Sequence, residues 1–237
     1  MDTPSSSSSP SPCPFCTIAH TYPPLPPTTF LPPASDPKNA SHPATPATPT
    51  TSPPSALDPS PAHLILSTPS LLAFLDIMPL TRGHLLLVTR AHYEKLGDVP
   101  VGVSREVRSF PPLSSPLLRS QHHPIPIGQW LPVLSRVVMR TLFGQGADAA
   151  PGEWHWNVVQ NNGVRAAQQV PHVHFHVIPR PDYDSGSGAG RPSFVMFGRG
   201  QREELDEEEG EALARALRGQ LAREVVHVRT GEGVDLE

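Results

Sequence analysis

Cysteine is almost missing from this chain: 237 residues carry two, Cys13 and Cys16, both in the tetrapeptide CPFC. Two thiols cannot build a disulfide framework, and a small scaffold held by disulfides is excluded. Long apolar runs are missing as well. No stretch of 18 apolar residues occurs, so no spanning helix and no membrane partner are expected. The opening MDTPSSSSSPSP has neither the basic n-region nor the apolar h-region of a signal peptide. The expectation is an intracellular protein, cytoplasmic or nuclear, whose sequon Asn39-Ala40-Ser41 stays unglycosylated. Excess positive charge is absent too. A net charge of −4 argues against a broad nucleic-acid-binding surface, and no nucleic-acid partner is expected. Hydrophobic residues make up 37% of the chain, below the roughly 45–50% of an average domain counted with glycine. Proline is in excess, with 32 residues where an average chain has about 5%.

These shortages are unevenly spread, and the spread divides the chain. Residues 1–12 are Ser/Pro-rich and expected to be disordered. A CxxC segment at 13–18 is expected to pack on the domain. A Pro-rich insert follows at 19–61, poor in backbone donors and in apolar surface. The ordered domain spans 62–180, and a loop with a C-terminal helix and tail fills 181–237. HLILS (63–67) and LLAFLDI (71–77) read as a β-hairpin, and GHLLLVTR (83–90) as a third strand. AHYEKLGDV reads as the start of a helix at 91–97. Residues 101–128 lose all periodicity. Val107-Arg108 can be encoded with a splice-donor-like sequence and Ile127-Gly128 with an acceptor, so a translated intron and a real loop both fit. Trp130, Leu134, Val137, Val138 and Leu142 then follow helical spacing over 129–143, with Pro132 in the first turn and Gly144 as a stop. EWHWNVVQ (153–160) and VHFHVIP are further strands. From Glu203 to Glu224 acidic residues lead and basic residues end a helix, as the helix dipole favours. The fold class is α+β: an antiparallel sheet with a central helix and a C-terminal helix.

The most unusual stretch is PHVHFHVIPR, 171–180. Side chains alternate along a strand, so His172, His174, His176 and Ile178 share one face, while Val173, Phe175 and Val177 face the core. Neighbouring imidazoles stand roughly 6.5–7 Å apart along such a strand. Three readings are open: a solvated His-rich strand, a metal site built from all three rings, or a reactive site. Carboxylates are lacking nearby and the spacing is wide for one small ion. CPFC is half a zinc site, a redox pair or a solvated turn. A redox pair opens a helix after a strand, whereas CPFC lies between Ser/Pro-rich tracts, which favours a metal.

The pattern H-x-H-x-H followed by two apolar residues resembles the histidine triad family of nucleotide hydrolases and transferases, in the microbial or fungal-type branch with an N-terminal CxxC. LLAFLDIMPLTRGHLLLVTRAHYEKL looks like the family's first half, WNVVQNNGVRAAQQVPHVHFHVIPR like its second, and CPFCTI like the start of many microbial members. The resemblance implies the family's fold and hydrolysis of a purine nucleotide conjugate at the α-phosphate of an AMP-linked, phosphoramidate-type substrate. It makes His174 the nucleophile and forms a nucleotidyl-histidine intermediate, which requires a neutral ring with Nε2 free and Nδ1–H held. The carbonyl of His172 is the implied acceptor, and His176 supports phosphate and leaving group. Asp76 is implied to bind the ribose hydroxyls, Phe74 and Ile77 to flank the base, and Asn161 and Gln168 to meet phosphate or order the approach loop. Members often carry Ser or Thr after that glutamine. This chain has Gln169, which bears on leaving-group preference. A structural zinc held by Cys13, Cys16, His84 and His172 is implied, with no organic cofactor. A homodimer is implied through the helix at 129–143 and the adjoining strand, with Trp130 and Val138 as contacts. The alternatives are a diadenosine polyphosphate hydrolase, a non-catalytic zinc-stabilised nucleotide binder and, last, a redox protein. The remaining histidines, His92 among them, read as surface or structural.

Overall fold

Alternating and fully apolar segments assemble one antiparallel sheet. The computed structural model describes residues 13–31, 62–100, 127–144, 154–181 and 202–236. The expectations for 1–12, most of the Pro-rich insert, nearly all of 101–128 and the loop at 182–201 lie outside these residues. β1 (Leu64–Ser67) and β2 (Leu71–Leu75) form the expected hairpin. Thr68 closes it: its hydroxyl oxygen accepts the Leu71 N–H at 2.9 Å and the Ser70 N–H at 3.3 Å. β3 (Leu85–Thr89) pairs with β2 along its whole length. The turn between them needs glycine, because Gly83 has φ +81° and a Cβ there would lie 2.6 Å from the Leu142 side chain. β4 (Trp156–Gln160) and β5 (His174–Pro179) complete the sheet in the order β1-β2-β3-β5-β4.

Every residue of β2 and β3 is buried, because both faces of the sheet are covered. Leu71, Ala73, Leu75, Leu85, Leu87 and Val177 point to the side of α2 (Ile127–Phe143) and α3 (Glu207–His227). Leu72, Phe74, Leu86 and Val88 point to the other side, where α1 (Pro14–Thr21) lays Phe15 and Ile18 on them. In the β3–β5 register His174 stands opposite Val88 and His176 opposite Leu86, so both histidines belong to the α1 face. The Cys-containing segment is thus a short helix, a conformation its proline-rich surroundings had not suggested.

Three sequence expectations need correction. Residues 91–97 are not helical; only a short 3-10 turn, Leu96–Asp98, occurs there. The backbone groups of this loop are used elsewhere: the Tyr93 carbonyl accepts the Val173 N–H at 2.7 Å, and the Leu96 N–H donates to Asn162 Oδ1 at 2.8 Å. Pro132 lies inside α2 rather than in its first turn, since the helix begins at Ile127. Burial of Trp130, Val133, Leu134, Val137 and Val138 on both sides of it offsets the lost hydrogen bond. Trp130 and Val138 are 0% exposed within one chain, so neither can be a dimer contact.

α3 is capped as its acidic start suggests: Asp206 Oδ1 accepts the Glu209 N–H at 3.0 Å. It is joined to α2 by Glu224, a carboxylate 0% exposed that binds Arg136 at 2.5 Å and also Arg140. A buried carboxylate is tolerable only with such partners. The segment entering α3 is bonded to the loop after β2. The Leu205 N–H donates to the Ile77 carbonyl at 2.8 Å, and Arg202 donates to the Met78 carbonyl at 3.3 Å.

Candidate active site and metal centre

The α1 face carries two clusters of titratable side chains, separated along β5. The first is the pair His174 and His176 with Asp76 and His84. His174 is 4% exposed and its Nδ1 lies 2.6 Å from the His172 carbonyl oxygen. A carbonyl can only accept, so Nδ1 carries a proton, and in the neutral tautomer the lone pair is on Nε2. The Gln168 amide donates weakly to the same carbonyl, at 3.4 Å.

The tautomers of the neighbouring pair follow from one backbone donor. The Leu80 N–H donates to His84 Nδ1 at 3.1 Å. His84 therefore holds its proton on Nε2, which lies 2.9 Å from His176 Nδ1 and donates to it. His176 is left with its own proton on Nε2. Asp76 Oδ2 is 3.4 Å from His84 Nδ1, but that nitrogen bears no proton in the neutral ring, so this contact is no ion pair near neutral pH. Burial pushes His84 down to about 3, with the charges of His176, Arg202, Arg180 and His174 adding. Burial also pushes His176 down to about 4, with His174 and Arg202 adding. Burial raises the Asp76 carboxyl, against the opposing pull of the Met78 N–H and the Arg202 and His174 charges.

These shifts fix a pH dependence of stability. In the unfolded chain the two rings titrate near about 6.5; in the fold they stay neutral well below that. Under pH 6.5 the unfolded state binds more protons, and the stability present above that pH is lost as pH falls through 4 towards 3. The urea midpoint of metal-free protein should be lower at pH 5 than at pH 7. A midpoint that is equal or higher at pH 5 contradicts the assignment of neutral rings.

The second cluster is Cys13, Cys16, His92 and His172, whose ligand atoms all lie within 4.8 Å of one another. Cys13 Sγ and Cys16 Sγ are 3.4 and 3.7 Å from His172 Nδ1, and Cys16 Sγ is 3.4 Å from His92 Nδ1. Tetrahedral zinc with Zn–S of about 2.3 Å and Zn–N of about 2.0 Å sets S···N edges of roughly 3.5 Å, so the residues fit that ion. The tautomer fits as well. His172 Nε2 donates to the Thr89 carbonyl at 2.7 Å, which leaves the Nδ1 lone pair on the thiol side. Burial pushes His172 down to about 4, so this nitrogen is unprotonated at neutral pH. Burial, with help from Cys13, raises the Cys16 thiol.

Three of the four residues expected to hold a metal are thus brought together, and His84 is not among them. Both of its ring nitrogens are spent, on Leu80 and on His176, and it is 1% exposed. His92, read from sequence as surface or structural, takes the fourth place. The bond from Val173 N–H to the Tyr93 carbonyl holds it beside His172. Among the expected nucleotide contacts, Asp76 Oδ1 accepts the Met78 N–H at 2.9 Å, Ile77 is 56% exposed, and Phe74 is only 3% exposed beneath α1. Gln168 is a strut. Its Oε1 accepts the Gly163 N–H at 2.5 Å and its Nε2 donates to the Glu94 carbonyl at 2.7 Å. It thereby pins the loop in which Ala167 adopts φ 63°, an unusual conformation for a residue with a Cβ. The Asn161 side chain makes no hydrogen bond among the described residues and is half-buried, while Gln169 is exposed.

The site thus joins an imidazole anchored on the His172 carbonyl to a His84–His176 pair with the half-buried Asp76 carboxylate beside His84. The chain belongs to the HIT domain family, whose model matches residues 58–182. It is 31% identical over 136 residues to an adenosine 5′-monophosphoramidase of Schizosaccharomyces pombe, covering 57% of this chain and 77% of that one. It is 30% identical over 154 residues to the adenosine 5′-monophosphoramidase of Saccharomyces cerevisiae, covering 63% of this chain and 77% of that one. Among solved structures it is similar to a zinc-bound histidine triad family protein of Mycobacterium smegmatis, at 24% identity, 68% and 85% coverage and a TM-score of 0.40. No helix among the described residues is long and apolar enough to cross a membrane.

Proposed function

We propose that this chain is a hydrolase of AMP-linked nucleotide conjugates of the phosphoramidate type, acting through His174. The observation that carries the reading is the 2.6 Å contact from His174 Nδ1 to the His172 carbonyl, which in the neutral tautomer leaves the Nε2 lone pair free as nucleophile. Its lone pair forms a P–N bond to the α-phosphorus as the bond to the leaving group breaks. The leaving amine takes its proton from solvent, to which the attacking water later returns one, while the Nε2–H of His176, oriented by the Leu80–His84–His176 chain, supports the phosphate as a hydrogen-bond donor. Water then attacks the adenylyl-histidine, AMP leaves, and His174 is regenerated. Asp76, Ile77 and Asn161 hold ribose, base and phosphate, and Gln168 stiffens the approach loop. Gln169, exposed at its edge, faces the leaving-group side. The relatives' names support the substrate class, and 31% and 30% identity support carrying it across.

The test is steady-state turnover of adenosine 5′-phosphoramidate, diadenosine triphosphate and diadenosine tetraphosphate, with acid-quenched protein assayed for histidine-linked AMP. Preference for the phosphoramidate with trapped adenylyl-histidine is expected. Preference for either dinucleotide moves the chain to the polyphosphate hydrolases, and no turnover of any of the three leaves a nucleotide binder.

Zinc at Cys13, Cys16, His92 and His172 completes the proposal. Bound there, the ion supplies no reaction step; it closes a four-ligand structural site tying the N-terminal helix to β5. A reducing, intracellular setting suits those thiols. The proposal also includes a homodimer formed along β4. This edge strand exposes Trp156, Val158 and Val159 at 41, 45 and 36%, and an exposed apolar edge needs a cover. Val158→Glu should halve the mass found by sedimentation equilibrium; a wild-type chain that sediments as a monomer removes the dimer.

A further inference from the structure

Between the two thiols lies an aromatic ring that neither metal binding nor phosphate chemistry requires. Phe15, on α1, is 8% exposed and meets three rings of the sheet edge to face. Its centroid is 5.3 Å from that of His174 with the planes at 78°, 5.7 Å from His172 at 66°, and 5.5 Å from Phe74 at 63°. The flanking thiols meanwhile reach His172 Nδ1 at 3.4 and 3.7 Å. One short helix therefore touches the His174 ring through its apolar residue and the His172 ring through its sulfurs.

Among the described residues His174 has one polar anchor, the bond from Nδ1 to the His172 carbonyl. That bond selects the tautomer, but a single hydrogen bond is a hinge as much as a clamp. The plane of the ring must be fixed by what packs on it. Two rings do so: Phe15, and His176 at 4.9 Å and 71°. His176 is itself hydrogen-bonded to His84, whereas Phe15 is held only by apolar packing and by whatever holds Cys13 and Cys16. A shift of α1 would thus be felt first at the imidazole of His174.

Resting on the reading of His174 as nucleophile, we propose that Phe15 is a positioning residue that fixes the plane of the His174 imidazole and transmits to it whether the Cys13, Cys16, His92 and His172 cluster is closed around a metal. In-line attack tolerates little misalignment, and an error of about 1 Å costs up to about a hundredfold in rate. Loss of the ring contact should therefore appear in kcat more than in KM.

The experiment uses the full chain as wild type, Phe15→Leu and Phe15→Met, each loaded with one equivalent of zinc and each stripped with a chelator. It reads kcat and KM with adenosine 5′-phosphoramidate, the ¹⁵N and ¹H resonances of the His174 ring at fixed pH, and thermal melting to show that each variant is folded. Both variants keep apolar volume and lose the aromatic edge. The expected result is a kcat about tenfold or more below wild type, a smaller change in KM, and shifted or broadened His174 ring resonances. Zinc removal should move those resonances in the wild type and leave them unmoved in the variants. Wild-type ring resonances with kcat within about twofold in a folded variant overturn the positioning role. Wild-type resonances indifferent to zinc, or a chain that takes up no zinc, overturn the transmission. If His174→Ala retains turnover, the nucleophile reading fails, while the ring resonances still decide whether Phe15 holds the imidazole.

Discussion

His174→Ala should lower kcat for adenosine 5′-phosphoramidate by roughly 10⁴-fold or more, with KM changed little. The size of the effect follows from the role. In the proposed reaction the ring supplies the atom that bonds to phosphorus, and among the described residues no other group on the α1 face is equivalent. His176 holds its proton on Nε2 and accepts from His84 on Nδ1, so it has no free lone pair to offer. The proposed binding groups, Asp76 and the loop behind it, are untouched by the change. His172→Ala makes an instructive contrast. Its contribution to the nucleophile is a main-chain carbonyl, which alanine keeps, so its kcat should stay well above that of His174→Ala. Measuring both variants at saturating substrate separates the two. If His174→Ala turns over within tenfold of wild type, His174 is not the nucleophile, whatever its tautomer.

The second large effect concerns the thiol cluster and distinguishes two histidines that the sequence does not. Purified full-length chain should carry about one equivalent of zinc. His92→Ala should fall below about 0.2 equivalents and melt at least about 5 °C lower, because a ligand that binds only the folded state stabilises it by mass action. His84→Ala should keep its zinc and lose turnover instead, since His84 fixes the tautomer of His176. The reverse pattern, with zinc lost from His84→Ala and kept by His92→Ala, would falsify the assignment made from the 3.4 Å approach of His92 to Cys16. Metal analysis of the two variants and the wild type decides it in one measurement.

The expectation of His84 comes from the family resemblance; that His92 stands beside the thiols instead depends on strand register, which the sequence does not show. The β1–β2 and β2–β3 hairpins are legible in the sequence because turns join them: Thr68 and Ser70 mark one, and Gly83 the other. A turn fixes which residues face each other. β3 and β5 are joined instead through α2 and β4, so nothing local in the sequence says how far one is slid along the other. That slide places His84 beside His176 and brings residue 92 to the level of residue 172. The alternation of HVHFHV, by contrast, needs no partner strand, and the faces it implies for His174 and His176 are those observed. Helix α2 was legible for a similar reason, its apolar spacing being intrinsic, whereas its burial of Trp130 and Val138 depended on α3 packing over it. Gln168 was legible as a loop residue. That its amide bridges Gly163 and Glu94, instead of being left for phosphate, depended on the path of a loop that composition does not specify.

Among the described residues the two faces of the sheet are covered by helices of very unequal length. On one side α2 and α3, with 17 and 21 residues, are locked together by the Glu224 carboxylate and its two guanidinium partners. On the other, the cover over His174 and Phe74 includes a helix of eight residues. A helix that short has no stability of its own in water. It is held in place by its packing on the sheet, so its local opening is expected to cost less free energy than that of α2 or α3. Among the described residues, then, proteolysis or amide exchange is expected to reach α1 before it reaches α2 or α3.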